Sequence, residues 1–321
     1  MAERYDLICV IGPTAVGKTE FALTLAEELG GEIVNADSRQ IYTGMDIGTA
    51  KPTPEETSRV PHHLIDVADP REAFSVGRFV ELADAVIADI RARGRIPIVT
   101  GGTGLYVRAL VDGLWDGPPI QPGLRDALGG IATARGKEAL HRMLTRLDPD
   151  SAAVAHPNDE YKVTRALEIT LATGRPASTL RREHGFPGRY RALMIALNRP
   201  RPELHERINR RVEQMLDRGW IEETRCLLDA GITPEHPGMN AVGYREVARL
   251  IGGEISREQA VDAICGATRR YAKRQFTWFR KDARITWLDS SGVSVRALVA
   301  RAFKAHNLGV MRVDVTVCKT P

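Results

Sequence analysis

The sequence predicts an α/β fold, a parallel-sheet core interrupted by a helical insertion, from three observations. Over the first 116 residues, apolar strand-like runs alternate with segments of helical periodicity, the pattern of strands joined by crossover helices. The stretch Gly113-Leu114-Trp115-Asp116-Gly117-Pro118-Pro119 breaks that pattern with turn formers, and the helical segments after it have no strands between them. The run Ala192-Leu193-Met194-Ile195-Ala196-Leu197 then reads as a buried strand, which returns the chain to the sheet.

The first strand is expected at 6–11, where Leu7-Ile8-Cys9-Val10-Ile11 is apolar throughout, as in a strand covered on both faces. A helix over Lys18–Leu29, a strand at 32–36, a helix over Val76–Ala92, a strand at 96–100 and a helix at 104–111 complete the first part of the core, residues 1–116. The insertion, placed at 117–190, carries helical segments near 124–128, 137–144 and 161–172. The core resumes over 191–290. A helix at 202–218 has Leu204, Ile208, Val212 and Met215 at helical spacing, with Arg207, Arg210 and Arg211 off that face. Ser256-Arg257-Glu258-Gln259 has the form of a capping box opening a helix that runs to about residue 281. Its Val261, Ile264, Cys265, Thr268, Ala272 and Phe279 share one face. Arg269, Arg270, Lys273, Arg274, Arg280 and Lys281 fall on the other, interleaved with Tyr271, Phe276 and Trp278, and Phe276 and Phe279 are expected in the core. Residues 291–321 are expected to be a C-terminal tail without chemistry, its last dozen residues loosely ordered.

The length of 321 residues suits one large or two modest domains. No apolar run approaches the roughly 18 residues of a membrane span, and Met1-Ala2-Glu3-Arg4-Tyr5-Asp6 lacks the basic-then-apolar layout of a secretion signal. Cys9, Cys226, Cys265 and Cys318 are scattered without a C-x-x-C pair, so neither a zinc site nor a disulfide framework is expected. Together these point to a cytoplasmic protein with no membrane association. The net charge of +4 conceals an asymmetry: residues 1–116 balance at about −7 and the remainder at about +11. A basic second part fits a polyanionic partner, and equally an arginine-rich composition with no such meaning.

The chemistry begins at Gly12-Pro13-Thr14-Ala15-Val16-Gly17-Lys18-Thr19, which fits the phosphate-binding loop G-x-x-x-x-G-K-[ST] at every fixed position and lies between a strand and a helix. The glycines let backbone N–H groups converge on an anion at a helix N-terminus. Lys18 can reach outer phosphates and the Thr19 hydroxyl can ligate a magnesium ion. The core is thus P-loop NTPase-like. The ATPase apparatus is nevertheless missing: the strand at 96–100 ends in Thr100-Gly101-Gly102-Thr103-Gly104-Leu105-Tyr106, with no carboxylate, and Asp66 in the short Leu64-Ile65-Asp66 is a weak substitute. A carboxylate does follow the second strand, at Asp37. Ligands in open parallel sheets sit beyond the carboxyl ends of the strands, so Asp37 and Lys18 should share a cleft. Asp37 then serves as metal ligand through water, as general base, or simply as a helix N-cap.

Four blocks of the first part, Gly12 to Thr19, Asp37-Ser38-Arg39-Gln40-Ile41-Tyr42, His62-His63-Leu64-Ile65-Asp66 and Gly101 to Tyr106, occur in the order seen in the tRNA dimethylallyltransferases, also called tRNA isopentenyltransferases. Arg165-Ala166-Leu167-Glu168, residues 201–212, Val242-Gly243-Tyr244-Arg245-Glu246 and Lys273-Arg274-Gln275-Phe276-Thr277-Trp278-Phe279 continue the match. The chain resembles that family over about residues 5–285. No eukaryotic-type zinc finger follows, so the resemblance is to the bacterial type. It implies that Gly12, Pro13, Thr14, Ala15, Val16, Gly17, Lys18 and Thr19 bind the diphosphate of dimethylallyl diphosphate. The dimethylallyl group then passes to N6 of the adenosine 3′-adjacent to the anticodon. Asp37 resembles the general base. Lys18 and Thr19, with Mg2+ held at Thr19, would neutralise the leaving diphosphate, and Thr103 and Arg245 would lie near the reacting atoms. The implied tRNA contacts are Asp37, Ser38, Arg39, Gln40, Thr103, Arg125, Tyr161, Lys162, Val163, Thr164, Arg165, Gly243, Tyr244, Arg245, Lys273, Arg274 and Gln275. A monomer is expected. Lys162 stands where relatives often have Arg, which loses a bidentate phosphate grip, and Asn240 where many have Arg or Gln. His62 and His63 are expected to be structural.

Three other readings remain open at this point. A small-molecule kinase would use the loop for ATP, with residues 181–191 as an arginine-rich lid. An adenylate dimethylallyltransferase would take a free nucleotide as acceptor, against which the insertion and the basic C-terminal helix argue. A non-catalytic RNA-binding protein would leave the phosphate loop without a purpose.

Overall fold

The computed structural model describes residues 5–115, 117–119, 121–185, 188–306 and 308. Asp116, at the expected domain boundary, Cys318 and the last dozen residues lie outside the described residues. The chain divides into two compact units, one formed by the segment up to Val111 and the segment from Arg189 onward, the other by Asp112–Gly188, against the expected insertion at 117–190.

The first unit opens with β1 (Leu7–Ile11), α1 (Lys18–Leu29), β2 (Gly31–Asn35), α2 (Pro54–Arg59), β3 (His62–His63), α3 (Val76–Ala92), β4 (Ile96–Gly101) and α4 (Gly104–Asp112). The second unit holds α5 (Pro122–Arg135), α6 (Lys137–Leu147), α7 (Pro149–Val154), α8 (Glu160–Thr173) and α9 (Ala177–His184). The first then resumes with β5 (Ala192–Asn198), α10 (Arg201–Asp217), α11 (Trp220–Asp229), a 3-10 turn at Pro237–Asn240, α12 (Tyr244–Ile251), α13 (Arg257–Phe279), β6 (Thr286–Asp289) and α14 (Val295–His306).

The six described strands form one parallel sheet in the order β3-β2-β4-β1-β5-β6. β1 is central and wholly buried because its side chains are apolar in both directions. Ile8 and Val10 pack with Phe21 and Leu25 of α1, Leu204 and Ile208 of α10, and Leu298 and Val299 of α14. Leu7, Cys9 and Ile11 point the other way, onto Phe79 and Ile87 of α3 and Val107 and Leu110 of α4. Phe79 and Tyr106 stack there with centroids 4.2 Å apart. This three-layer arrangement fixes the carboxyl ends of β1, β2 and β4 side by side, which is where the loops carrying Lys18, Asp37 and Thr103 emerge.

A further cluster joins α10 to α13 around Trp220 and Tyr244, whose rings meet edge to face at 5.5 Å. The Glu223 carboxylate organises it. It accepts the backbone N–H groups of Asp46, Ile47 and Gly48 at 2.7, 2.6 and 3.1 Å and the Tyr244 hydroxyl at 2.7 Å, tying the loop before α2 to α11. Glu223→Ala strands these donors, and with about 1–3 kcal/mol at stake for each unsatisfied buried group it should lower the unfolding free energy by several kcal/mol, read by equilibrium denaturation. The second unit has its own core of Leu128, Leu140, Leu144, Val163 and Leu167.

The capping box is present as expected: the Ser256 hydroxyl accepts Gln259 N–H and the Gln259 side chain accepts Ser256 N–H, so α13 starts at Arg257 and ends at Phe279, short of 281. Phe279 is buried, and Phe276 stacks on Trp287 at 5.9 Å. Residues beyond 290 depart from the expected tail. After the edge strand β6, α14 buries Leu298, Val299 and Ala302 against the sheet layer that contains α1. Its charged Arg296, Arg301 and Lys304 dilute the apolar signal along the sequence.

Candidate active site

The phosphate loop leaves β1 through three left-handed residues, Gly12 (φ 137°), Ala15 (φ 63°) and Gly17 (φ 108°). Gly12 has no substitute: a Cβ there would lie 2.9 Å from the Leu197 carbonyl oxygen. Two distant side chains fasten the loop. The buried Gln275 of α13 accepts the Thr14 N–H at 2.8 Å and donates to the Gly102 carbonyl at 2.9 Å, bridging the loop to the end of β4. Arg207 of α10 donates to the Ala15 carbonyl at 2.8 Å. Gln275→Ala leaves two backbone groups unpaired. It should cost about 1–3 kcal/mol for each in equilibrium denaturation and should raise the KM for the phosphate-bearing substrate.

Lys18 folds back on its own loop, donating to the Pro13 carbonyl at 2.7 Å. Burial pulls its ammonium down to about 8, with Asp37 opposing the fall and Arg211 adding to it. Only the ammonium form pairs with phosphate. It predominates below about pH 8 and is lost above, so kcat/KM for a substrate held through phosphate should fall as pH rises through about 8. A bound phosphate anion favours the charged form, so the same limb in kcat should lie higher. A pH profile of both parameters checks this.

Asp37 follows β2 in a turn and does not cap a helix. Its Oδ1 accepts Arg39 N–H at 2.9 Å, and its own N–H goes to Asn35 Oδ1 at 3.1 Å. The buried Asn35 also donates to the Leu64 carbonyl at 3.0 Å, so the turn is anchored on β2. Beside it, Thr103 Oγ1 accepts Ser38 N–H at 2.9 Å and contacts the Ser38 hydroxyl at 3.2 Å. Tyr271 of α13 lies beside Thr103, and burial pushes its phenol up to about 12, so it stays a neutral hydroxyl. The Gln40 amide donates to Thr49 and Ala50 carbonyls and holds that loop in place.

Three cavities of the first unit share these walls. A groove of ≈ 1040 Å³ is lined by Lys18, Thr19, Arg207, Arg210, Arg211 and Arg218. A narrow ≈ 70 Å³ space brings Lys18, Thr19, Asp37 and Arg211 together. Beyond it, a ≈ 170 Å³ chamber is lined by polar Asp37, Arg39, Tyr271 and Arg274 and by apolar Ile208, Val212, Met215, Trp220 and Ile264. An anion site, a carboxylate and an apolar pocket therefore adjoin in that sequence. Arg211 and Tyr271 also line these cavities, and motif reading did not single them out as site residues. The signal for Arg211 lay in three arginines off the apolar face of α10.

These features match a described family. A family model, IPP transferase, covers residues 40–282, and a second, Isopentenyl transferase, covers 5–67. The chain belongs to the IPP transferase family. It is 49% identical over 288 residues to tRNA dimethylallyltransferase 2 of Geotalea uraniireducens, covering 89% of this chain and 93% of the relative. It is also 49% identical over 301 residues to tRNA dimethylallyltransferase of Syntrophobacter fumaroxidans, covering 93% and 87%. Among solved structures, tRNA isopentenylpyrophosphate transferase from Bacillus halodurans superposes with TM-score 0.70 at 42% identity, over 94% of this chain and 96% of that one. A eukaryotic dimethylallyltransferase described as acting on tRNA gives TM-score 0.79 at 29% identity, over 94% and 79%.

The residues expected at the reacting atoms and on the tRNA separate by burial. Thr14, Ala15, Gly17, Lys18, Thr19, Asp37, Arg39, Gln40, Arg274 and Gln275 line the cavities, while Ser38 and Thr103 brace the Asp37 turn beside them. Arg245 does not line them. Exposed, it donates to the Pro234 carbonyl and to Asn240 Oδ1 at 2.7 Å, and Asn240 in turn lines the chamber. Tyr244 is fully buried on Glu223, Gly243 is packed against the Trp220 ring, and Gln275 is locked between two backbone segments, so none of the three presents a side chain to a macromolecule. In the second unit Val163 is a core residue. Arg125 holds the buried Glu168 carboxylate with two bonds at 2.6 and 3.0 Å, and Arg165 adds a third at 3.3 Å. Tyr161 is 74% exposed, and Lys162 pairs with Asp159 at 2.6 Å. His63 bonds the buried Glu32 at 2.8 Å, a structural role as expected, while His62 lines the phosphate groove.

Proposed function

We propose that this enzyme, a prenyl transferase by family, moves the dimethylallyl group of dimethylallyl diphosphate onto N6 of the adenosine 3′-adjacent to the anticodon of tRNA. The observation that carries this reading is the meeting of Lys18, Thr19 and Asp37 in one narrow space between a basic groove and an apolar chamber. An allylic diphosphate has the same polarity, with an anionic head and a five-carbon apolar tail, and C1 lies at the junction.

The N6 lone pair attacks C1, the C1–O bond breaks, and the electron pair leaves on the diphosphate. An exocyclic amine is a weak nucleophile because its lone pair is delocalised into the ring, so removing its proton during attack lowers the barrier. Two observations support Asp37 in this role: its Oδ1 accepts the Arg39 N–H, and the residue lines the chamber. Lys18, Arg211 and the loop N–H groups stabilise charge growing on the leaving group. Among the described residues no three His, Cys, Asp or Glu side chains gather for a metal ion. A Mg2+ ion needs no such cluster, since it keeps several waters and is bound largely by substrate phosphates. Thr19 would hold it, and the ion supplies further neutralisation of the diphosphate.

The acceptor and the site of action follow from the same reading. The relatives are named for tRNA, and Lys273 and Arg274 stand exposed on α13 beside the chamber. No helix among the described residues is long and apolar enough to cross a membrane, and Cys9, Cys226 and Cys265 are free thiols; we take the enzyme to act in the cytoplasm, as a monomer. The test is incubation with Mg2+, dimethylallyl diphosphate and undermodified tRNA, followed by mass analysis of the nucleosides. N6-dimethylallyladenosine in tRNA and none in free AMP is the expected result; alkylated AMP would make the enzyme a free-nucleotide transferase.

A further inference from the structure

One exposed aromatic has no part in the chemistry above. Trp278, near the C-terminal end of α13, is 40% exposed, and Leu105, at the start of α4, is 43% exposed. The indole covers the backbone of Gly104 so closely that a Cβ there would meet Trp278 Cδ1 at 2.0 Å. Gly104 directly follows Thr103, which holds the Asp37–Ser38 turn. On α13, Tyr271, Arg274 and Trp278 follow at helical spacing along one face, and the first two line the chamber that contains Asp37. One helical turn, about 5.4 Å, therefore separates the chamber wall at Arg274 from Trp278.

The charges on α13 divide along its length. At its start Arg257 pairs with Asp217 and Glu213, and midway along Arg269 donates to the Asn209 amide oxygen. Towards its end, Lys273, Arg274 and Lys281 are exposed and have no carboxylate partner among the described residues; Arg274 rests over the Tyr271 ring at 5.6 Å. Cations left without internal partners on the same stretch of chain as an exposed indole complement a polyanion with flat apolar faces, which is single-stranded nucleic acid.

We propose that Trp278 is a stacking platform for the nucleobase adjoining the target adenosine, with Lys273, Arg274 and Lys281 on the flanking phosphates. The inference rests on the tRNA reading above. Drawing one adenosine out of a stacked loop bares the face of its neighbour. The indole replaces the lost stack at the chamber mouth and keeps the loop open for attack.

The test uses an anticodon stem-loop RNA with 2-aminopurine at the nucleotide next to the target adenosine. With the wild-type enzyme, binding should change the 2-aminopurine signal by quenching on the indole. Trp278→Ala should abolish that quenching and raise the KM for the stem-loop about tenfold or more, with kcat at saturating RNA and the KM for dimethylallyl diphosphate unchanged. Trp278→Phe should recover most of the loss. Quenching and RNA KM that are unchanged in Trp278→Ala overturn the proposal. So does a loss that affects both substrates alike, lowers the melting temperature and is not recovered by Phe, since that marks a packing role over Gly104. Wild-type enzyme that quenches the probe yet alkylates no RNA contradicts the proposed reaction and leaves the stacking site standing.

Discussion

Asp37→Ala should lower kcat by about 10²–10⁴-fold, the usual contribution of a positioned general base, with tRNA affinity essentially unchanged. The reason lies in how the carboxylate is held. Its Oδ1 is engaged with the Arg39 N–H, and the turn is secured independently by Asn35 and Thr103. Removing the side chain therefore deletes the proposed proton acceptor while the backbone around it keeps its anchors. Asp37→Asn sharpens the result, because the amide oxygen can still accept from Arg39 N–H while the group no longer takes a proton. Both variants should be equally inactive in single-turnover alkylation and should bind tRNA like the wild type. If Asn restores activity, or if Ala loses tRNA binding in proportion to rate, Asp37 is a positioning or recognition residue.

Lys18→Ala should produce the second large loss, about 10²–10³-fold in kcat, the size found for deleting one donor to charge that develops in the transition state. The structure gives the reason for a rate effect beyond affinity. The ammonium sits in a narrow buried space shared with Asp37 and Arg211, where water screens it little. Diphosphate product binding should weaken less than the rate falls, and the fall in kcat/KM above about pH 8 should disappear from the variant. Steady-state kinetics with inhibition by added diphosphate separate the two effects. An unaltered pH profile in Lys18→Ala would assign that limb to another group.

Much of this site was legible in the sequence because its chemistry lies in contiguous loops at strand ends. The phosphate loop, the Asp37 turn and the glycine-rich turn after β4 each announce themselves within a few residues. The parallel sheet was legible for the same local reason, since strands covered on both faces read as unbroken apolar runs. What escaped were partnerships across the chain. Gln275 lies 261 residues from Thr14, and nothing near either position signals that one fastens the other. Glu223 gathers a loop 175 to 177 residues away, which turns Tyr244 from an expected RNA contact into a core residue. Arg125 and Arg165 read as free cations in sequence and share the buried Glu168 carboxylate in the fold. The helix α14 escaped because its apolar positions are interleaved with arginine and lysine.

The central claim is that the phosphate loop holds a leaving diphosphate while the carbon group departs to RNA. Its most direct test is stoichiometric: diphosphate and alkylated adenosine are counted in one reaction containing tRNA, dimethylallyl diphosphate, ATP and Mg2+. The account predicts one diphosphate released for each N6-dimethylallyladenosine formed, no release without tRNA, and no consumption of ATP. Orthophosphate or ADP produced from ATP, with dimethylallyl diphosphate left intact, would contradict it.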